Sequence, residues 1–381
     1  VDRAGRIGLN LWFLWAALIS APAAVAQNAR QGALALESSQ QYAEAERVWQ
    51  DIAQKDPHNA EAFAHMGLLE VRQQHFDQGV AYYRQALALD PSFPGVEMNL
   101  GLALFKSNRF QESIKPFTAE LEKHPGDPRL TILLGMAHYG MGDYLVAIPY
   151  LKQATKMDAQ SLPLRLTLAH SCLWSKQYQC VLDVYQQILA LNAESAEADM
   201  LVGEALDEQG QITAATEQFR SAVKANPKEP NAHFGLGYLL WEQKQYDEAA
   251  KEFLAELEND PASVQARGYL GDTYVKLNDY AKAQPELENA VAADPSTAFA
   301  HCDLGVVYAD LGRKDDAINE LLKAIALDPK DVTPHWRLAR LYQSMSRKDE
   351  AKIEFDKASS MNREADQALV EKLGRGQATP Q

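Results

Sequence analysis

The sequence predicts an all-α solenoid of ten helix–turn–helix units, each 34 residues long. Three series of residues predict it. Small residues recur at Ala33, Gly67, Gly101, Gly135, Ala169, Gly203, Gly237, Gly271, Gly305 and Ala339. A large apolar residue follows each at a fixed offset: Trp49, Tyr83, Phe117, Leu151, Tyr185, Phe219, Phe253, Leu287, Leu321 and Phe355. Prolines at 57, 91, 125, 227, 261, 295 and 329 close seven of the units. Repeats with a period of roughly 20–50 residues mark stacked architectures, in which no single unit can bury its own apolar face.

Each part of the unit has a physical reason. Small residues where two helices face each other let the axes approach to the lower end of the packing range, about 8 Å. The large residue sits one turn beyond a second small one (Ala45, Gly79, Ser113 and their equivalents) and fills the adjoining gap. Proline at the end of a unit cannot continue a helix and so separates one unit from the next. Units four and five end in Ala159 and Ala193 instead. Pro116, Pro149 and Pro285 fall inside second helices and are expected to bend them. The ten units occupy residues 27–365. A capping helix is expected over Asp366–Leu373, with Ala368, Leu369, Val370 and Leu373 apolar, and a disordered tail over Gly374–Gln381.

Residues 1–26 differ in kind. Arg3 and Arg6 precede the apolar run Ile7–Ile19, and Ala24-Val25-Ala26 ends it with an Ala-x-Ala pattern. A basic start, a short apolar core and small residues at the exit read as a secretory signal peptide. The run is short of the ~20 apolar residues of a membrane span. A cleaved signal, a retained N-terminal anchor and an ordinary helix are the alternatives. The first places the chain in the periplasm or outside the cell, and the second gives its one route to a membrane.

The unit length, the small–large spacing and the terminal proline together resemble the tetratricopeptide repeat. The resemblance covers the whole chain from residue 27 to 365. It implies a right-handed superhelix in which the first helices line a concave groove, mainly through unit positions 2, 5, 9, 12 and 13. Carried over, these positions place Leu68 and Val71, Met98, Leu102 and Phe105, Ile132, Met136 and Tyr139, then His170 and Trp174 on the groove. Unit six interrupts with Glu204, Asp207 and Glu208, and unit seven resumes with Phe234, Tyr238 and Trp241. Later units are mixed, with Asp272, Lys276, Asp310, Trp336 and Arg340. Such a groove suits an amphipathic helix or apolar peptide of a partner. The competing reading is that positions 9 and 12 only pack against the next unit. Two known family uses are not matched. The carboxylate clamp needs Lys and Asn where Ala64, Leu68, Met98 and Leu102 stand, and the asparagine ladder at position 6 is present only as Asn99.

Ten repeats leave no room for a catalytic domain, so no enzyme and no cofactor are expected. His233, His301 and His335 recur at one slot in different units. They are too far apart to meet the ~2.0–2.1 Å distances of one zinc ion, and read as core residues replacing an aromatic. Gly235-Leu236-Gly237 lies in a helix with no strand before it, so it makes no phosphate loop. Cys172 and Cys180 flank the turn of unit five and are either bridged there or two separate small core residues; Cys302 is left over. The net charge of −15 and pI near 5.1 disfavour nucleic acid and anionic membranes as partners. The expected function is a non-catalytic scaffold of the bacterial cell envelope, with envelope proteins rather than small molecules as partners. Secretion, pilus, polysaccharide-export or outer-membrane assembly are the settings considered. An activator subunit of an envelope enzyme and a self-assembling structural protein are the alternatives.

Overall fold

A computed structural model describes residues 27–192 and 194–376, and the basic–apolar segment 1–26 lies outside them. The described residues form twenty helices and no strand. First helices of the units are α1 (27–38), α3 (Ala60–Arg72), α5 (Val96–Lys106), α7 (Pro128–Gly140), α9 (Leu162–Trp174), α11 (Ala196–Asp207), α13 (Ala232–Glu242), α15 (Val264–Lys276), α17 (Ala298–Asp310) and α19 (Thr333–Ser344). Second helices are α2 (Tyr42–Lys55), α4 (Phe76–Leu89), α6 (Phe110–Lys123), α8 (Tyr144–Met157), α10 (Tyr178–Leu189), α12 (Ile212–Ala225), α14 (Tyr246–Asn259), α16 (Tyr280–Ala293), α18 (Lys314–Leu327) and α20 (Lys348–Gly376). The described residues divide into two compact bodies, one ending at Gln187 and the other beginning at Ile188. Within the first body α3 touches α5 and α7 touches α9; within the second, α11, α13, α15, α17 and α19 touch in sequence. The first helices therefore stand side by side on one face of each body.

Hairpins close because the small residues of the first helix leave bare backbone for a large residue of the second. A Cβ added at Gly101 would lie 2.5 Å from the Phe117 ring, and one at Gly67 would lie 2.7 Å from Tyr83. The same contact joins Gly203 to Phe219, Gly237 to Phe253, Gly271 to Leu287 and Gly305 to Leu321. Tyr83, Phe117, Phe253 and Leu287 are buried, and so is Trp49 against Ala33.

The turn inside each hairpin repeats one backbone motif. Gln74, Asn108, Gly142, Lys176, Gly210, Lys244, Asn278, Gly312 and Ser346 all have φ between 58° and 77°, as does Gln40. The next N–H reaches back across the turn, as from His75 to the Glu70 carbonyl at 2.9 Å and from Gln245 to Leu240 at 2.8 Å. This Schellman motif satisfies the last carbonyls of the first helix. Between units, an Asp or Asn at the helix C-cap accepts from the N–H two residues on, as Asp90 does from Ser92 (2.9 Å) and Asp294 from Ser296 (2.9 Å). Proline follows directly in seven units. First helices then begin on side-chain caps from Asn59, Asp127, Ser161, Ser195 and Ser263.

Three expectations need comment. The helices containing Pro116, Pro149 and Pro285 run unbroken through them. There is no separate capping helix over 366–373, because α20 continues from unit ten to Gly376. Asn362-Arg363 stands where other units have Asp-Pro, so nothing ends the helix there, and Gly374–Gly376 are helical rather than part of a tail. Finally, a disulfide joins Cys172 in α9 to Cys180 in α10, with Cα atoms 5.7 Å apart across the turn, so these are not two separate thiols. Cys302 is free and buried.

Gly101→Ala is expected to destabilise the first body by about 1–3 kcal/mol, the usual cost of forcing extra volume into a packed core. Urea denaturation checks this, and an unchanged midpoint would mean the Phe117 ring yields freely. Gln74→Gly is expected to act oppositely, raising stability by about 0.5 kcal/mol. It removes the roughly 1 kcal/mol penalty of a left-handed non-glycine residue, part of which is offset by glycine's larger unfolded-state entropy.

Candidate peptide-binding face

The thirteen residues assigned to the groove all lie on first helices. Twelve are half-buried, and Trp174 is 48% exposed. The structure brings them together in clusters. In the first body Leu68, Val71 and Leu102 line one cavity of about 480 Å³, together with Phe76 and the polar groups of Arg72, Asn99 and Lys106. Met98 and Phe105 pack beside the Phe117–Leu130–Leu134 core, and Phe105 meets Phe110 edge-on at 5.2 Å. Farther along, Trp174 lies 4.7 Å from the Tyr144 ring, 5.9 Å from Tyr139 and 5.1 Å from His170. Ile132 and Met136 are half-buried on α7 and join neither cluster among the contacts described.

The second body carries a denser group. Phe234, Tyr238 and Trp241 of α13 gather around Tyr269 of α15, at 5.9, 5.5 and 5.4 Å between ring centres. All three meet Tyr269 steeply, and Phe299 of α17 adds a further ring at 5.3 Å. Polar anchors hold the rings. Tyr238 Oη donates to Glu242 at 3.0 Å, and Trp241 Nε1 donates to Asp272 at 2.5 Å. Burial, then the bond to Glu242, pushes the Tyr238 hydroxyl up to about 12, so the phenol stays neutral. The start of α13 is fixed from below by buried Glu256, which accepts from the N–H groups of Asn231 (3.2 Å) and Phe234 (3.1 Å). Tyr238 and Trp241 thus pack against the next unit and still present partly open surface.

Two groups here escaped sequence reasoning. Tyr269 occupies unit position 6, outside the groove positions. Tyr144 opens a second helix, a slot that is aromatic in seven units from Tyr42 to Tyr280. That 34-residue recurrence was the available signal.

Past α15 the face becomes polar. Asp272 pairs with Lys276 at 3.1 Å. Burial, and then the adjacent Asp272 to which it is hydrogen-bonded, pushes the Asp303 carboxyl well above the usual range, against the opposing pull of Lys276 and Arg337. A buried carboxyl beside another carboxyl favours its protonated form. Cys302 beside them is pushed up to about 12 by burial and by Asp303, which leaves a thiol with little nucleophilic character. Among the described residues no group of three His, Cys, Asp or Glu side chains is arranged to hold a metal ion.

His233, His301 and His335 are buried, but they are more than substitutes for an aromatic ring. Each Nδ1 lies 2.6 Å from a carboxylate nineteen residues on: Glu252, Glu320 and Glu354. A carboxylate only accepts, so Nδ1 carries the proton. Arg267 occupies the same slot in the intervening unit and donates to Glu286 at 2.9 Å. Phe63 faces Tyr82 there in unit two. One slot therefore joins the two helices of a hairpin by an aromatic pair in one unit and by a hydrogen bond to a carboxylate in four.

Models of the tetratricopeptide repeat match residues 65–128, 138–205, 182–230, 203–264, 270–332 and 333–364. The chain belongs to the tetratricopeptide-repeat family. That family is one of protein-interaction scaffolds, and this repeat protein shares its helical-hairpin fold. No curated protein matches the chain. Among solved structures, it is similar to YrrB, described as a TPR protein with an unusual peptide-binding site (21% identity, 49% of this chain and 97% of that one, TM-score 0.42). MamA 41-end from Desulfovibrio magneticus RS-1 is similar over 44% and 96% of the two chains (24% identity, TM-score 0.41). The APC/C hetero-tetramer Cut9-Hcn1 is similar over 78% and 58% (19% identity, TM-score 0.48).

The ion-pair slot gives a pH prediction. Burial pushes the Glu354 carboxyl up, but hydrogen bonds from Lys357 and His335 and their charges outweigh it and hold it below the usual range. Its contribution is therefore complete above the usual glutamate range and is lost as the pH falls through the lowered folded value. Glu354→Gln should flatten the acid limb of the stability curve, read by urea unfolding at a series of pH values. An acid limb identical to that of the parent chain would show that the pair contributes nothing.

Proposed function

We propose that this repeat protein is a non-catalytic scaffold of the bacterial cell envelope that holds a peptide or helix of a protein partner on its first-helix face. The ring group of Tyr238, Trp241 and Tyr269 carries the reading. Large aromatics held in fixed orientation and left partly open are the residue types that dominate protein interfaces. The apolar cavity beside Leu68, Val71 and Leu102 supports it from the first body. Export rests on the basic–apolar–small pattern of residues 1–26. Among the described residues no helix is long and apolar enough to cross a membrane.

A photoreactive residue in place of Tyr238, activated in cells, is expected to capture a specific envelope protein, identified by mass spectrometry of the adduct. Adducts with cytoplasmic proteins alone would overturn the export reading. Trp241→Ala and Tyr238→Ala should each weaken capture from a neighbouring probe site by at least fivefold while circular dichroism stays unchanged. Loss of helix content in both variants would instead make the rings core residues.

A further inference from the structure

Carboxylates gather beside the aromatic group. Glu204 and Asp207 lie on α11, one unit before Tyr238 and Glu242 on α13, and α11 packs against α13. Neither Glu204 nor Asp207 has an ion-pair or hydrogen-bond partner among the described residues. Elsewhere in the second body Glu252, Glu286, Glu320 and Asp272 each have a basic partner. Partial burial, then Glu242 and Glu208, pushes the Asp207 carboxyl up; Glu204 is exposed on α11, and partial loss of hydration, then Asp207, pushes its carboxyl up as well. The negative charge on Glu204 and Asp207 is thus repelled from within, and no ion pair among the described residues offsets it.

The rings next to it have the matching chemistry. Tyr238 and Trp241 are nearly parallel, 22° apart at 6.1 Å between centres, and both are part-exposed. Their polar atoms are directed to Glu242 and Asp272, so what they offer a partner is π surface. A π face and a carboxylate both attract a cation, and a planar guanidinium can stack on the one while hydrogen-bonding the other.

We infer that the face formed by Glu204, Asp207, Tyr238, Trp241 and Glu242 docks an arginine-bearing peptide segment of the partner. The inference rests on the first-helix face being the binding face, and adds the chemistry of what binds. Bringing the guanidinium in relieves the repulsion between Glu204, Asp207 and Glu242 and places its plane against the rings. Apolar residues of the same segment then lie along Phe234 and Phe299.

The test uses the described repeat protein and a fluorescein-labelled twelve-residue peptide alternating Arg, Leu and Gly, with a twin in which Gln replaces every Arg. Fluorescence anisotropy is expected to show the Arg peptide binding at least tenfold tighter than its twin. Glu204→Gln with Asp207→Asn should weaken the Arg peptide at least fivefold and leave the Gln twin unchanged. A charge-matched control, Glu258→Gln with Asp356→Asn on the second-helix side, should change neither. Equal weakening by the control would overturn the inference in favour of non-specific attraction to an acidic protein. Equal binding of both peptides, lost in Tyr238→Ala, would overturn the arginine chemistry and leave the binding face standing. No binding of the Arg peptide at any concentration up to that of the protein's solubility overturns the inference, and the Tyr238 capture experiment then judges the face separately.

Discussion

Everything in this chain depends on how closely two helices of a hairpin can approach. A bare Cα on the first helix receives the ring or branched chain of a residue on the second, as Gly101 receives Phe117 and Gly237 receives Phe253. A wider separation would leave the large residue a void to line, and each missing packing contact costs dispersion energy. The close approach also fixes the turn. Three residues must reverse the chain between axes near contact, and the left-handed residue of the Schellman motif does so at every unit, whether it is Gly142 or Lys244. The sequence tolerates lysine and glutamine there because the packing of the hairpin outweighs a local backbone penalty of about 1 kcal/mol.

Once the hairpin is closed, the remaining positions are free to differ. The slot that is Phe63 in one unit and His301 in another shows what that freedom permits. A ring pair and a His–carboxylate pair both span the same gap between two helices. The hydrogen bonds to a carboxylate occupy units seven to ten. Each places a carboxylate of the second helix against a donor on the first, so the groups that are buried remain satisfied, as buried polar groups must.

How much of this was legible follows from where each feature sits in the repeat. Period, helix order and the small–large contact were readable because they recur at fixed residues, and the groove residues fell on first helices because the register is set by the same recurrence. The Glu partners were harder to see. A carboxylate nineteen residues on looks like an ordinary solvated charge unless it is counted in units. Tyr269 was missed because position 6 is occupied by residues as different as Leu201, Gly235 and Asp303, so no series announced it. The end of α20 was misplaced for a different reason. A weakly apolar stretch after the last repeat was taken as a new element, when the decisive feature was the missing Asp-Pro that would have ended the old one.

The chemistry of the first-helix face changes along the chain. Beside Leu68 and Leu102 the polar neighbours are Arg72, Asn99 and Lys106. Beside Tyr238 and Trp241 they are Glu204, Asp207 and Glu242. The underlying helices are equivalent, so neither set is demanded by packing. In the second body a pairing with a basic residue was available to the same backbone, since Lys276 supplies it to Asp272 on α15. An acidic, aromatic surface with no ion-pair partner for Glu204 or Asp207 among the described residues has the charge and the open rings that a cationic group of a partner would complement.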